Sequence, residues 1–227
     1  MKHLLDRPIW SALATRQADL GEGTGLARRY RPDILPFAAT ETDDPPAIAA
    51  LAGLASPSET LLFLMADPAA PLPGFELLTA AEAVQMVAEN VPAPPLDASI
   101  VPLGADDAEE MLALATLTKP GPFSLKSQML GRFWGFREEG RIVAMAGERM
   151  KQPGFSELSG VCTHPDARGK GYARRLSLHV AARILESGDR PYLHAYASNR
   201  AAIALYESIG FALRSVMHVA VLRKNAG

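Results

Sequence analysis

From residue 98 onward the spacing of apolar positions alternates between two residues and three to four, the periods of a strand and of a helix. ASIVPLG (98–104) reads as a short strand. DDAEEMLALATLTKPGP (106–122) reads as a helix, with Asp106 or Asp107 at its cap, acids in its first turn and Pro120-Gly121-Pro122 beyond its end. GRFWGFREEGRIVAMAGERM (131–150) predicts a hairpin, because two strand-like runs flank Glu138-Glu139-Gly140. GFSELSGVCTHP (154–165) is a further strand, ended by Pro165. Ala173, Leu176, Val180 and Ile184 then recur at helical spacing, so a helix runs from about Gly169 to Ser187. A strand at 191–197, a helix at 199–210 and one bent strand or two at 211–224 complete the chain. This order predicts an α/β fold, a mixed sheet with helices on its faces.

The first 95 residues have a different texture. Prolines cluster in TDDPPA, DPAAPLPG and VPAPP and cut the segment into short elements: a helix at 45–55, a strand at 59–66 and a second helix at 79–90. Asn90 to Ala98 is the expected boundary, since consecutive prolines continue neither a helix nor a central strand. The chain therefore divides into an N-terminal α/β region of unassigned role, 1–95, and a second unit, 96–227.

Charge removes several functions from consideration. With 23 Lys and Arg against 25 Asp and Glu, the chain has no global field to draw nucleic acid or an anionic membrane. Any anion site must be local. The single cysteine, Cys162, excludes an intramolecular disulfide framework and fits a reducing compartment. No apolar run approaches the ~18 residues that span a bilayer, and the expectation is a cytoplasmic protein. His3, His164, His179, His194 and His218 show no metal-ligand spacing, so no metal is expected.

A local cationic feature is THPDARGKGYARRL (163–176), where a strand passes into a helix. Gly169 and Gly171 let the backbone approach a ligand, and the unpaired N–H groups of the first turn suit a phosphate or pyrophosphate, with Arg168, Lys170 and Arg174 able to add charge. A solvated helix entry has the same composition. Neither a P-loop nor a dinucleotide fingerprint fits the spacing. The pattern Arg168-x-x-Gly171-x-Ala173 resembles motif A of the GNAT superfamily of acyl-coenzyme A dependent N-acyltransferases, and NRAAIALYESIGF (199–211) resembles its second signature.

The resemblance covers roughly residues 96–227. It implies a GNAT-type, mainly antiparallel sheet flanked by helices, with the residues 1–95 added to it as a cap or a degenerate copy of the fold. It further implies that Arg168, Gly169, Lys170, Gly171, Tyr172 and Ala173 hold the pyrophosphate of acetyl-coenzyme A through their amides. Val161, Cys162 and Thr163 would pair with the pantetheine arm through the main chain, Gly160 would mark a bulge, and Asn199 would bond the arm.

Acyl transfer to an amine needs a deprotonated nucleophile and an acid for the leaving thiolate. The resemblance implies Tyr206 as that acid and Glu157 as the base. Tyr206 could equally be a core aromatic bordering the face of Ala202, Leu205 and Ile209, and Glu157 an exposed strand residue. Glu148 and His194 are weaker candidates, and Cys162 reads as a buried thiol rather than an acyl carrier. The expected reaction is acetyl transfer to a primary amine of a small molecule or peptide by direct attack. The alternatives are a non-catalytic acyl-coenzyme A sensor and an acyltransferase for larger acyl groups. Residues 118–128, with or without the N-terminal portion, are expected to form the acceptor pocket.

Overall fold

A computed structural model describes residues 3–68 and 72–226, so part of the second proline cluster, 69–71, lies outside the described residues. The elements before the proline-rich segment are α1 (Pro8–Leu13), β1 (Gly21–Glu22), β2 (Ala27–Tyr30), β3 (Ala38–Thr40), α2 (Pro45–Leu54), β4 (Thr60–Met65) and β5 (Phe75–Ala88). After it come β6 (Val101–Leu103), α3 (Ala108–Thr118), β7 (Phe133–Glu138), β8 (Arg141–Gln152), β9 (Phe155–Thr163), α4 (Tyr172–Glu186), β10 (Arg190–Tyr196), α5 (Arg200–Ser208) and β11 (Phe211–Lys224). No described helix is long and apolar enough to cross a membrane.

Local chemistry explains most boundaries. Asp44 caps α2 by accepting from Ala47 N–H at 3.0 Å, and Pro45 and Pro46 fill its first turn, where no N–H is needed. At α3 neither candidate caps the helix in the usual sense; the Asp107 carboxylate instead accepts from the Gly104 N–H at 2.8 Å. The β7–β8 turn has positive φ at Glu139 and Gly140, the geometry that matches strand twist in a two-residue hairpin.

Eight strands form one sheet in the order β4-β11-β5-β10-β9-β8-β7-β6. All neighbours are antiparallel except β9 and β10. β1, β2 and β3 make a separate small sheet. The large sheet extends across the proline-rich segment, because β5 lies between β10 and β11 and β4 pairs with the far edge of β11.

The helix expected at 79–90 is therefore a strand. Its Ala, Glu, Gln and Met residues favour a helix locally, by a few tenths of a kcal/mol each. Alternate positions nevertheless divide between two cores: Ala83 and Val87 join the cluster around α1, while Val84 and Met86 join the cluster under α4 and α5. Pairing on both edges satisfies the buried backbone and outweighs the propensity.

The same alternation assigns the faces of the sheet. Tyr192 of β10 packs with α1, Leu193 with α4 and α5. On α4 the stripe of Leu176, Val180 and Ile184 is fully buried, as its period predicts. Phe133, Met145 and Cys162 turn the other way, toward α3.

Candidate active site

β9 and β10 pair in parallel only from Phe155 with Arg190 to Glu157 with Tyr192, and then part. From Leu158 onward the edge of β9 that faces β10 has no strand partner. Along its other edge, the register with β8 runs from Ser159 opposite Gly147 to Cys162 opposite Met145, so β9 carries one extra residue there. Gly160 occupies this bulge with φ +64°, a left-handed conformation that side chains disfavour. A Cβ at that position would also stand 3.1 Å from the Phe133 ring. The bulge thus falls where the resemblance implied it.

Past β9 the chain enters α4 through Gly169 and Gly171, at φ +80° and +75°. A Cβ at either position would meet nothing within 4 Å, so the approach to this turn is open. Gly171 is the N-cap, and no side chain caps the helix. The amides of Tyr172, Ala173 and Arg174 have no acceptor within the helix and point outward at its positive end. Arg168 is exposed, whereas Lys170 is engaged: its Nζ donates to both Glu138 oxygens at 2.7 and 2.9 Å. Tyr172 donates to the same carboxylate at 2.6 Å and stacks on Phe136.

A cavity of about 170 Å³ occupies the gap between the parted strands. Leu158, Val161, Ala202 and Tyr206 line it from the α4–α5 side of the sheet, and Phe37, Leu62, Leu64, Ala83 and Val219 from the α1 side. The cavity therefore passes through the sheet. Lys119 to Pro122, just after α3, form a further wall, within the loop expected to serve an acceptor. Phe37 is held there by a bridge to Leu62.

The structure brings Val161, Asn199 and Tyr206 together on this cavity. Asn199 Oδ1 caps α5 by accepting from Ala202 N–H at 3.1 Å. Tyr206 is the buried centre of the inner face of α5 rather than its border, and Leu205 is less buried. Its hydroxyl has no hydrogen bond among the described residues, and burial raises its pKa, so it remains protonated. Cys162 turns its thiol into the core beneath α3, where burial pushes its pKa up to about 11. It is not placed to carry an acyl group. Thr163 pairs with Ala144 on β8, and its Oγ1 is buried without a partner.

The resemblance implied Glu157 as the base and its alternative was an exposed strand residue; Glu157 is not exposed. Its carboxylate is fully buried, accepts from Arg149 Nε and Nη2 at 2.8 and 2.6 Å, and faces His194 Nδ1 at 2.8 Å. Burial acts to raise its pKa, but the Arg149 charge and these hydrogen bonds hold it down to about 2. It does not line the cavity; His194 does. His194 is fixed at both nitrogens, because Gln85 Nε2 lies 2.9 Å from its Nε2. Gln85 accepts from Arg214 through Oε1 and donates to the Leu5 carbonyl, which leaves its second N–H for the imidazole. His194 is then the neutral Nδ1–H tautomer, consistent with burial lowering its pKa. Glu148 is likewise consumed, by Arg132 and Lys151.

The sequence pattern does not reveal Arg149, which lies outside both motifs, or the apolar wall of Phe37, Leu62 and Leu64, which stand far upstream of the motifs they face. Among the described residues, no group of three or more His, Cys, Asp or Glu side chains is arranged to hold a metal ion.

Comparison with known proteins bears on the fold and the family. The FR47-like protein family matches residues 133–219, which span β7 to most of β11. A solved GNAT-family protein from Novosphingobium aromaticivorans is 43% identical, covers 99% of this chain and 100% of its own, and superposes with a TM-score of 0.92. A GCN5-related N-acetyltransferase from Kribbella flavida is 15% identical over 96% of this chain and 95% of its own, at a TM-score of 0.65, and so shares the fold. A GNAT-family acetyltransferase from Colwellia psychrerythraea is 11% identical over 99% of this chain and 98% of its own, at a TM-score of 0.54. No curated protein matches the chain. The first of these likenesses extends over the whole chain at an identity that marks common descent, and the chain belongs to the GNAT family of acyltransferases.

Proposed function

We propose that the protein transfers an acetyl group from acetyl-coenzyme A to a primary amine by direct attack in a ternary complex. The observation that carries this reading is the cavity through the sheet: Tyr206 borders it on the side of the α4 entry, and an apolar chamber borders it on the other. The uncapped amides from Gly169 to Ala173, with Arg168, suit the pyrophosphate. The unpaired edge of β9 at Leu158 to Val161 suits an arm that adds as a strand, and Asn199 stands beside it. When bound, the thioester supplies the activated acyl carbon. Tyr206 gives its proton to the sulfur as the C–S bond breaks and the C–N bond forms.

Among the described residues that line the cavity, no carboxylate or imidazole offers a free lone pair. Both Glu157 oxygens and both His194 nitrogens are engaged, and Arg149 and Lys119 are cations. An apolar wall beside a guanidinium disfavours an ammonium, so the bound amine sheds its proton to water and enters as the free base. Accordingly kcat/KM should rise about tenfold per pH unit until the acceptor reaches its own pKa, ~10.4 for a simple alkylamine. A plateau near pH 6 to 7 would instead reveal an enzymic base. The reaction itself is tested by thiol release from acetyl-coenzyme A with a panel of amines. Tyr206→Phe should lower kcat about 100-fold while coenzyme A still binds. Tight binding without thiol release from any amine would leave a sensor of acyl-coenzyme A.

A further inference from the structure

The acceptor side of the cavity carries cations and, among the described residues that line it, no carboxylate: Lys119 and Arg149 are its charged groups. Arg149 is a half-used donor. Its Nε and Nη2 are committed to Glu157, while Nη1 has no acceptor among the described residues. That nitrogen stands 3.8 Å from where a Cβ on Gly121 would lie, and Gly121 belongs to the cavity wall. The guanidinium also rests on Phe37, 5.0 Å from the ring centre, so its plane is fixed from two directions. A held guanidinium with two spare N–H bonds is a ready partner for a carboxylate oxygen.

Phe37, Leu62 and Leu64 give the α1 side an apolar wall, while Ser159, His194, Tyr196 and Asn199 line other parts of the cavity. At about 170 Å³ the cavity is smaller than the roughly 300 to 1,000 Å³ of pockets for drug-sized ligands. A second ammonium on the acceptor would meet two cations and hydrocarbon there, which argues against polyamines and basic peptides.

We infer that the acceptor is a small apolar α-amino acid, whose carboxylate takes the free Nη1 of Arg149 and whose side chain lies against Phe37, Leu62 and Leu64. This deepens the acyltransferase reading and rests on it. The α-amine forms the new C–N bond and loses a proton to water, the thioester C–S bond breaks, and the products are an N-acetyl amino acid and free coenzyme A.

The test compares leucine, leucinamide and 3-methylbutylamine, which share a side chain but keep, mask or lack the carboxylate. Each is titrated calorimetrically into the coenzyme A complex and assayed for thiol release, with rates referred to the free-amine concentration. Leucine should bind more tightly and show a kcat/KM about 10- to 100-fold above the other two, the range expected for a hydrogen bond to a charged group. Arg149→Lys, which keeps a charge opposite Glu157, should reduce that preference at least tenfold. If this variant does not fold, the three ligands on the parent protein still decide. Equal binding and equal rates for leucine and 3-methylbutylamine would overturn the inference and leave the acyltransferase reading intact. Thiol release from none of the three, nor from any other amine, would defeat that reading, while the calorimetric ranking would still report on the carboxylate site.

Discussion

The two ends of the cavity are built from different materials. At the end proposed for the donor, the groups that would face a ligand are mostly main-chain: the open edge of β9, the bulge at Gly160 and the amides of the α4 entry. At the end proposed for the acceptor they are side chains, and five of them come from β4, β5, β11 and the segment before β4. A common cosubstrate can be held by backbone geometry, which depends on a few glycines and a strand order. An acceptor is discriminated by side-chain shape and charge, which can change without moving the strands. Phe37, Leu62, Leu64 and Ala83, four residues of the wall proposed to face the acceptor, come from the first 95 residues, whose β4 and β5 belong to the same sheet rather than lying over it.

The largest expected effect lies at the donor end. Gly171→Glu introduces a carboxylate where the cradle is open, so the side chain has room and the fold should persist with modest strain from φ +75°. A unit charge about 4 Å from a phosphate, at an effective dielectric near 20, opposes binding by roughly 4 kcal/mol. Affinity for coenzyme A, measured by calorimetry, should fall about 1,000-fold. Thermal unfolding of the free variant should shift by only a few degrees. Undiminished affinity would mean that the pyrophosphate is held elsewhere.

A substitution on the opposite wall sharpens the contrast. Leu62 is half-buried on β4 and lines the chamber, so Leu62→Trp should fill part of the acceptor space. The acceptor KM should rise about tenfold, the scale on which apolar pockets respond to small changes of volume. The coenzyme A affinity should stay within about twofold. If both constants moved together, the two ends would not be separate devices.

This division also explains what was legible in the sequence. The α4 entry and the α5 helix are each contiguous in sequence, and their glycines, N-cap and tyrosine sit at fixed offsets, so Gly171, Asn199 and Tyr206 could be placed on their elements one position at a time. The periods of α4 and α5 were equally clear, because each helix buries a single face. β5 was misread because a strand paired on both edges and buried on both faces near its end needs no clean alternation of polar and apolar residues. The surroundings of Glu157 were hidden for a related reason. Its position on β9 was right, but its character depends on Arg149 eight residues earlier and His194 thirty-seven later, two partners that only the sheet brings together. Spacing within a motif is a local property; the pKa of a buried carboxylate is not.

The smallest expected effect tests the main-chain character of the donor end most directly. Lys170 looks like a phosphate ligand by sequence, since it lies between the two glycines of the cradle. In the structure its ammonium is exposed and already held by both oxygens of Glu138. To reach a phosphate it must leave that carboxylate, so much of the attraction to the ligand is offset by the contact it gives up. Exposed ion pairs contribute little and are screened by salt, which further narrows the difference. Lys170→Ala should therefore weaken coenzyme A binding less than about fivefold at physiological salt, whereas Arg168→Ala, which removes an exposed cation without such a partner, should weaken it more. A loss of 100-fold or more for Lys170→Ala, set beside a small one for Gly171→Glu, would reverse the assignment and make the donor end a side-chain site like its counterpart.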